Sequence, residues 1–320
     1  MFRILVPLDG SALAAQALPV AGAIAKQRNG RIDLLLVHVL GPIATYAAMA
    51  RVQEPRTIEE EYLARTADRL AHDSGVSVSY AVLPGNEVDI ICSRARQLDA
   101  NLIVMTTHGR TGFSRAWIGS VADAVVRESP VPVLLVRGSE KQPVPAQGAP
   151  RSFLIPLDGS KLAEQIIEPV LELVSDTDAK LTLVQVVMPI PQLAMNPMQP
   201  YAILSSAGVD QQVTDQAIRA AEEYLGALAN RLRIRTAATM DHRAVLGDGI
   251  ANEILQVAKE LGVEAIAMTT RGRGATRLFV GSVADKLLRG ATVPLLLYRP
   301  RVRRLSSGRK RARGKKAARI

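Results

Sequence analysis

Apolar positions along this chain fall into short continuous runs separated by stretches of helical periodicity. Leu34-Leu35-Leu36-Val37-His38-Val39-Leu40 is apolar almost throughout, as a strand covered on both faces should be. Leu181-Thr182-Leu183-Val184-Gln185-Val186-Val187 reads as its counterpart later in the chain. Short apolar runs alternating with helical patterns mark a parallel α/β sheet, because a parallel connection needs a crossover helix. The pattern predicts strand 2–8, helix 12–28, strand 32–40, helix 57–73, strand 76–83, helix 87–98, strand 101–106, a glycine loop, helix 120–128 and strand 131–137. The same course repeats from Ser152 to Arg299.

The repetition extends to individual residues. Val6-Pro7-Leu8-Asp9-Gly10-Ser11 returns as Ile155-Pro156-Leu157-Asp158-Gly159-Ser160. Gly119 to Arg137 and Gly281 to Arg299 agree at 11 of 19 positions. Two motifs duplicated in the same order, at a period far beyond that of stacked repeats, indicate a duplicated domain rather than a solenoid. The expected organisation is domain 1 over 1–138, a linker over 139–150 rich in Pro and Gly, domain 2 over 151–299, and a tail over 300–320. Repeat 2 gains about 15 residues after its second strand, mostly in Met188–Ser206. That stretch reads as a surface loop, with a lid or interdomain contact as the alternative.

Composition narrows the setting. The 320 residues suffice for two domains of ordinary size, and 48% hydrophobic with 22% charged residues is a globular balance. Cys92 is the only cysteine, so there is neither a disulfide framework nor a cysteine metal cluster, which suits a reducing cytoplasm. The N-terminus enters a strand-like run at once, without a signal-like apolar core, and no apolar run approaches the ~20 residues of a membrane span.

Charge changes the picture more. The net charge is +10, yet residues 299–320 hold 11 Lys and Arg and no acid, and the rest of the chain would carry about −1. The tail, dense in like charge and without apolar period, is expected to be disordered when free. It could contact DNA, RNA or another polyanion without sequence preference, or be a solvated appendage. It has no aromatic residue for stacking on single-stranded bases.

Candidate chemistry gathers at two places. Met105-Thr106-Thr107-His108-Gly109 is followed, after nine residues, by Gly119-Ser120, between a strand and a helix. Helix N-terminal amides and close backbone approach at glycine make an anion site, to which Ser120 could add a hydroxyl. The alternative is that Ser120 is an N-cap, with Asp123 completing a capping box. Asp9 follows the first strand, either as a turn residue beside an N-cap at Ser11 or as a carboxylate facing a nucleobase or ribose. Strands 1 and 4 are expected to be neighbours, so Asp9 and the glycine loop would meet in the crevice where open α/β sheets bind ligands. No Lys follows Gly119 or Gly281, which excludes a Walker-type P-loop, and the metal-binding His-Glu-x-x-His pattern is absent. His108 and His242 read as loop or strand residues, and Cys92 as a packed helix residue. No catalytic or metal-binding residue is assigned.

Pro-x-Asp after strand 1, the Val-rich strand 2 and Gly-x9-Gly-Ser after strand 4 resemble the universal stress protein family, over both halves in tandem. The resemblance implies two Rossmann-like domains, each a five-stranded parallel sheet of order 3-2-1-4-5 with helices on both faces, paired through their last strands within one chain or between two. It further implies ATP in the crevice, with magnesium accompanying it. Pro7, Asp9 and Val39 would border adenine and ribose, while Thr106, His108, Gly109, Arg110, Gly119 and Ser120 would line the phosphate side. A weaker second site would use Pro156, Asp158, Val186, Thr269, Gly272, Gly281 and Ser282. It is weaker because eight residues rather than nine separate Gly272 from Gly281. In both repeats the motif's first glycine is a threonine, Thr106 or Thr269. The resulting expectation is a stress-related, nucleotide-binding regulatory or protective protein rather than a committed enzyme. A slow ATPase, a scaffold without nucleotide and a nucleic-acid-associated protein are the alternatives.

Overall fold

The computed structural model describes residues 1–38, 53–107, 118–138, 148–175, 177–190, 210–270 and 281–300. Within helix 53–74, side chains are described from residue 58 on. Repeat 1 runs β1 (Arg3–Leu8), α1 (Leu18–Gln27), β2 (Arg31–His38), α2 (Gln53–Ser74), β3 (Ser77–Pro84), α3 (Glu87–Gln97), β4 (Leu102–Thr106), α4 (Ser120–Glu128) and β5 (Val133–Val136). Repeat 2 runs β6 (Ser152–Pro156), α5 (Ile167–Val174), β7 (Lys180–Val187), α6 (Gln211–Arg233), β8 (Thr239–Leu246), α7 (Ile250–Glu260), β9 (Ala265–Thr269), α8 (Ser282–Gly290) and β10 (Leu295–Tyr298).

Both repeats join one ten-stranded sheet of order β3-β2-β1-β4-β5-β10-β9-β6-β7-β8. Each half is parallel and has the expected order 3-2-1-4-5. The halves meet through an antiparallel β5–β10 pair, with Leu134 opposite Leu296. Leu134 and Leu296 are also counterparts in the two repeats, so the seam has a local pseudo-twofold axis at its centre. Two apolar cores follow from the alternation along the strands. Ile4, Val6, Leu34, Leu134, Ile155, Leu183 and Leu296 face the layer of α1, α2, α5 and α6. Leu5, Leu35, Ile103, Leu135, Val184, Ile266 and Leu297 face α3, α4, α7 and α8. Each core runs through both repeats.

Two expectations change, and one buried carboxylate was not foreseen. The helix foreseen over 12–28 starts with a tight 3-10 turn at Ala14–Ala17 before α1, and repeat 2 does the same at Ala163–Ile166. Pro19 and Pro169 lie in the first turn of the helices that follow, where the missing N–H leaves a carbonyl one turn earlier without its α-helical bond. The second-strand register also shifts. Val6 pairs with Leu34 and Ile155 with Leu183, so Leu183, not Leu181, is the counterpart of Leu34. Val186 therefore matches Val37, and Met188 takes the level of Val39. Finally, Asp33 on β2 is buried amid the apolar run; Ser79 Oγ donates to it at 2.5 Å and Arg3 Nε lies 4.0 Å away.

The linker over 139–147, most of the Met- and Pro-rich stretch (191–209) and the tail beyond Pro300 lie outside the described residues. Cys92 is packed in α3, and burial pushes its thiol up to about 11. His242 is a strand residue on β8, its Nε2 3.6 Å from Glu222 Oε2.

Candidate functional site

The first strand of each repeat ends in a turn built by its own side chains. Asp9 Oδ1 accepts from the Ser11 amide (2.9 Å) and from Ser11 Oγ (2.6 Å), while Ser11 Oγ accepts from the Ala14 amide (3.0 Å). Asp158 Oδ1 accepts from the Ser160 amide (2.9 Å), and Ser160 Oγ from the Ala163 amide (3.1 Å). Gly10 and Gly159 hold φ of 82° and 77°, a region that disfavours any Cβ, which is why glycine recurs there. The aspartates thus have a structural task, and that task fixes each carboxylate at the carboxyl end of the first strand.

The fourth strand brings the second part of the site alongside. β1 pairs with β4, with Leu5 opposite Ile103, and β6 pairs with β9. Thr106 and Thr269, both buried, close β4 and β9 at the same end of the sheet as Asp9 and Asp158. β1 and β6 are where the chain changes direction across each half-sheet, the place where open α/β sheets form a ligand crevice.

The helix after the fourth strand then turns its amino end toward that crevice. The Gly119 amide donates to the Thr107 carbonyl at 2.7 Å, and the Gly281 amide to the Thr270 carbonyl at 3.2 Å. The first helical bond of α4 runs from the Asp123 amide to the Gly119 carbonyl at 3.0 Å. Gly119 is therefore the cap residue and Ser120 the first residue inside the helix, as the expected range 120–128 has it, which rules out the alternative of a Ser120 cap with a capping box. Asp123 pairs with Arg127 at 2.8 Å instead. Among the described residues, no side chain caps either α4 or α8. Gly119 and Gly281 have negative φ, so their backbone does not demand glycine. Among the described residues, a Cβ at Gly281 would meet only the Thr270 carbonyl, at 3.4 Å.

Of the expected site residues, the structure brings Pro7, Asp9, Thr106, Gly119 and Ser120 to one end of the repeat 1 sheet. Pro156, Asp158, Thr269, Gly281 and Ser282 occupy the corresponding end of repeat 2. Val39, His108, Gly109, Arg110 and Gly272 lie outside the described residues. Val186 packs with the core under α7 and α8.

Two residues at the same place were not foreseen. Tyr62 on α2 and Tyr224 on α6 are counterparts, each followed by a fully buried leucine, Leu63 or Leu225. Tyr224 Oη donates to Glu164 Oε1 at 3.1 Å, and Lys161 Nζ (2.9 Å) and Arg231 Nη2 (3.6 Å) hold the same carboxylate. Burial, then the charge and hydrogen bond of Glu164, and then Asp158 push the Tyr224 phenol far up. Burial likewise raises Tyr62, with a smaller contribution from Asp9. The signal in the sequence was the recurring Tyr-Leu pair. Two open depressions of about 500 Å³ lie elsewhere, where α1 and α5 end and the α2–β3 and α6–β8 turns begin. One of them is crossed by a bidentate ion pair, Arg235 to Glu168 at 2.8 and 2.9 Å, which holds the Glu168 carboxyl below its usual range.

A doubly wound parallel sheet with a glycine at the helix amino end opposite a fixed aspartate defines a Rossmann-like α/β protein, here in tandem. A profile of the Universal stress protein family matches residues 1–137 and again 150–299, and the chain belongs to that family. It is 24% identical over 310 residues to a universal stress protein of Mycobacterium bovis, an alignment covering 92% of this chain and 96% of the relative. A universal stress protein of Thermus aquaticus is 35% identical over 140 residues, which is 43% of this chain and 100% of that protein. Among solved structures, a universal stress protein from Archaeoglobus fulgidus superposes with a TM-score of 0.66 at 20% identity, covering 93% of this chain and 98% of its own. Among the described residues, no helix is long and apolar enough to cross a membrane.

Proposed function

We propose that this chain is a cytoplasmic, stress-related regulatory or protective protein that binds ATP, chiefly in the crevice of repeat 1. The observation that carries this reading is the amino end of α4, which begins at Gly119 with no side-chain cap among the described residues, beside the carboxyl end of β1 where Asp9 is fixed. Phosphate oxygens would take the first-turn amides of α4 and the Ser120 hydroxyl, with the positive end of the helix dipole behind them. Adenine and ribose would lie toward Pro7, Asp9 and Val39, while His108, Gly109 and Arg110 would border the phosphates. Magnesium would be carried mainly by the phosphates. Repeat 2 would bind more weakly, because its loop is one residue shorter and Glu164 adds a second carboxylate near Asp158.

Calorimetric titration of the full chain with ATP tests this. Gly119→Val puts a branched side chain where the phosphates approach and is expected to weaken binding at least about 10-fold, equivalent to ~1.4 kcal/mol. Gly281→Val should change the total far less. A Gly119→Val chain that keeps its fold and its full ATP affinity would sink the assignment.

The segregation of charge supports a second, independent contact. Residues 299–320 hold all the excess positive charge, and we propose that they bind polyanions such as duplex DNA without sequence preference. A chain ending at Pro300, which keeps Arg299, should lose that binding. If about 5–8 charges engage, log affinity should fall with log salt at a slope of roughly −4.5 to −7. An unaltered slope after truncation would assign DNA contact to the folded body.

A further inference from the structure

Each repeat carries an arginine directly after its last strand, and each arginine reaches across the seam. Arg137 Nη1 donates to the Ala291 carbonyl at 2.8 Å, and Arg299 Nη1 donates to the Arg127 carbonyl. The last intrahelical bonds run from the Ser129 amide to the Val125 carbonyl in α4 and from the Ala291 amide to the Leu287 carbonyl in α8. Arg127 and Ala291 thus present two of the terminal carbonyls that a helix leaves without a partner of its own. A guanidinium placed there also meets the negative end of the helix dipole. The carboxyl end of each crevice helix is therefore held by the other repeat.

Each arginine is tied in turn to its own crevice. The Thr107 amide donates to the Val136 carbonyl at 3.0 Å, one residue before Arg137, and the Thr107 carbonyl accepts from Gly119. The Thr270 amide donates to the Tyr298 carbonyl at 2.9 Å, one residue before Arg299, and the Thr270 carbonyl accepts from Gly281. The connections close on themselves. From Gly119 they pass through Thr107 and Val136 to Arg137 and the end of α8, and then along α8 to Gly281. From there they pass through Thr270 and Tyr298 to Arg299 and the end of α4, whose other end is Gly119.

We infer that Arg137 and Arg299 are positioning residues that couple the two crevices, so that the seating of α4 against a ligand in repeat 1 is set by an arginine of repeat 2, and the reverse for α8. The β5–β10 pairing fixes the two half-sheets relative to each other. The arginines extend that hold to the helices, each of which runs from the seam to its crevice. The inference rests on the nucleotide reading for its ligand, and on hydrogen bonds independent of that reading for its mechanics.

Hydrogen exchange and calorimetry on the full chain separate the two. Without nucleotide, Arg299→Ala should speed amide exchange across the last turn of α4 several-fold and leave α8 unchanged, and Arg137→Ala should do the opposite. If neither variant alters its target helix, the clamp is overturned, whatever the chain binds. With ATP, Arg299→Ala should weaken binding in repeat 1 about 3- to 10-fold, although Arg299 lies at the far end of α4 from the crevice. Arg299→Lys, which restores the charge and a donor, should recover most of that loss. Faster α4 exchange with unchanged ATP affinity would overturn the coupling and leave only a structural bond. Absence of ATP binding by the unaltered chain would instead defeat the nucleotide reading, and the ligand-free exchange would still decide the clamp.

Discussion

Tyr224 shows how far the two repeats have parted at the level of single side chains. Its hydroxyl is bonded to Glu164, which Lys161 and Arg231 also reach. The counterparts of Glu164 and Lys161 in repeat 1 are Ala15 and Ala12, so Tyr62 has no such carboxylate to meet. Tyr224→Phe should cost roughly 0.5–1.5 kcal/mol at neutral pH, the ordinary net worth of one hydrogen bond. The pH dependence has a definite sign. The folded-state pKa is raised above its ordinary 10.0, so folding favours the neutral phenol. That preference costs nothing below the unfolded pKa, and stability is lost as pH rises past about 10, where the unfolded chain ionises first. Urea unfolding at pH 7 and pH 10.5 checks both parts. A wild type that loses no more stability than the phenylalanine variant at the higher pH would contradict the raised phenol. Residue identity made Asp9, Gly119 and Ser120 legible as candidates, because turn, glycine and hydroxyl chemistry belong to the residue itself. It could not show that Gly119, one position earlier, is the cap and Ser120 the first helical residue, since that depends on where the first helical hydrogen bond closes.

Elements were legible where their pattern is strong. β1, α3, β4 and α4 lie close to the expected ranges, because apolar runs and a cap such as Asn86, which accepts from the Val88 and Asp89 amides, act locally. The alignment of β2 with β7 was not legible. A near-continuous apolar strand looks the same when slid by two residues, and only pairing with β1 and β6 selects Leu183 as the match for Leu34. Edge protection is likewise a matter of neighbours. Glu222 on α6 accepts from the Ala244 amide at 2.6 Å, and Arg243 pairs with Glu260 at 3.0 Å, so side chains from two helices guard the edge strand β8. Charges on or over an edge strand discourage pairing with another chain.

At the scale of the whole molecule the seam is the central feature. Leu295, Leu296 and Leu297 pair with Leu135, Leu134 and Val133, and these positions are one another's counterparts in the two repeats. Gln27 Nε2 donates to the Leu173 carbonyl and Arg28 Nη1 to the Ser175 carbonyl, each at 3.0 Å, joining the α1 and α5 ends across the seam. A surface that pairs with its own counterpart about a twofold axis is close to self-complementary. Repeat 1 expressed alone, as residues 1–138, should therefore form a homodimer through β5, and Leu134→Lys should return it to monomer. Sedimentation equilibrium reads the difference, and a monomeric isolated repeat would show that the seam depends on residues specific to repeat 2. The sequence by itself determined the duplication, the α/β class and the two ends where chemistry gathers, because periodicity, turn chemistry and repeated motifs are local in the chain, while the strand order within each half came from the family resemblance. Only the tertiary structure decided that the halves satisfy each other's edge strands within one chain, that each core runs through both repeats, and that arginines cross from each half to the other's helix. These depend on which surfaces meet, and residues such as Arg137 and Ala291, far apart in the chain, leave no local pattern from which their meeting could be read.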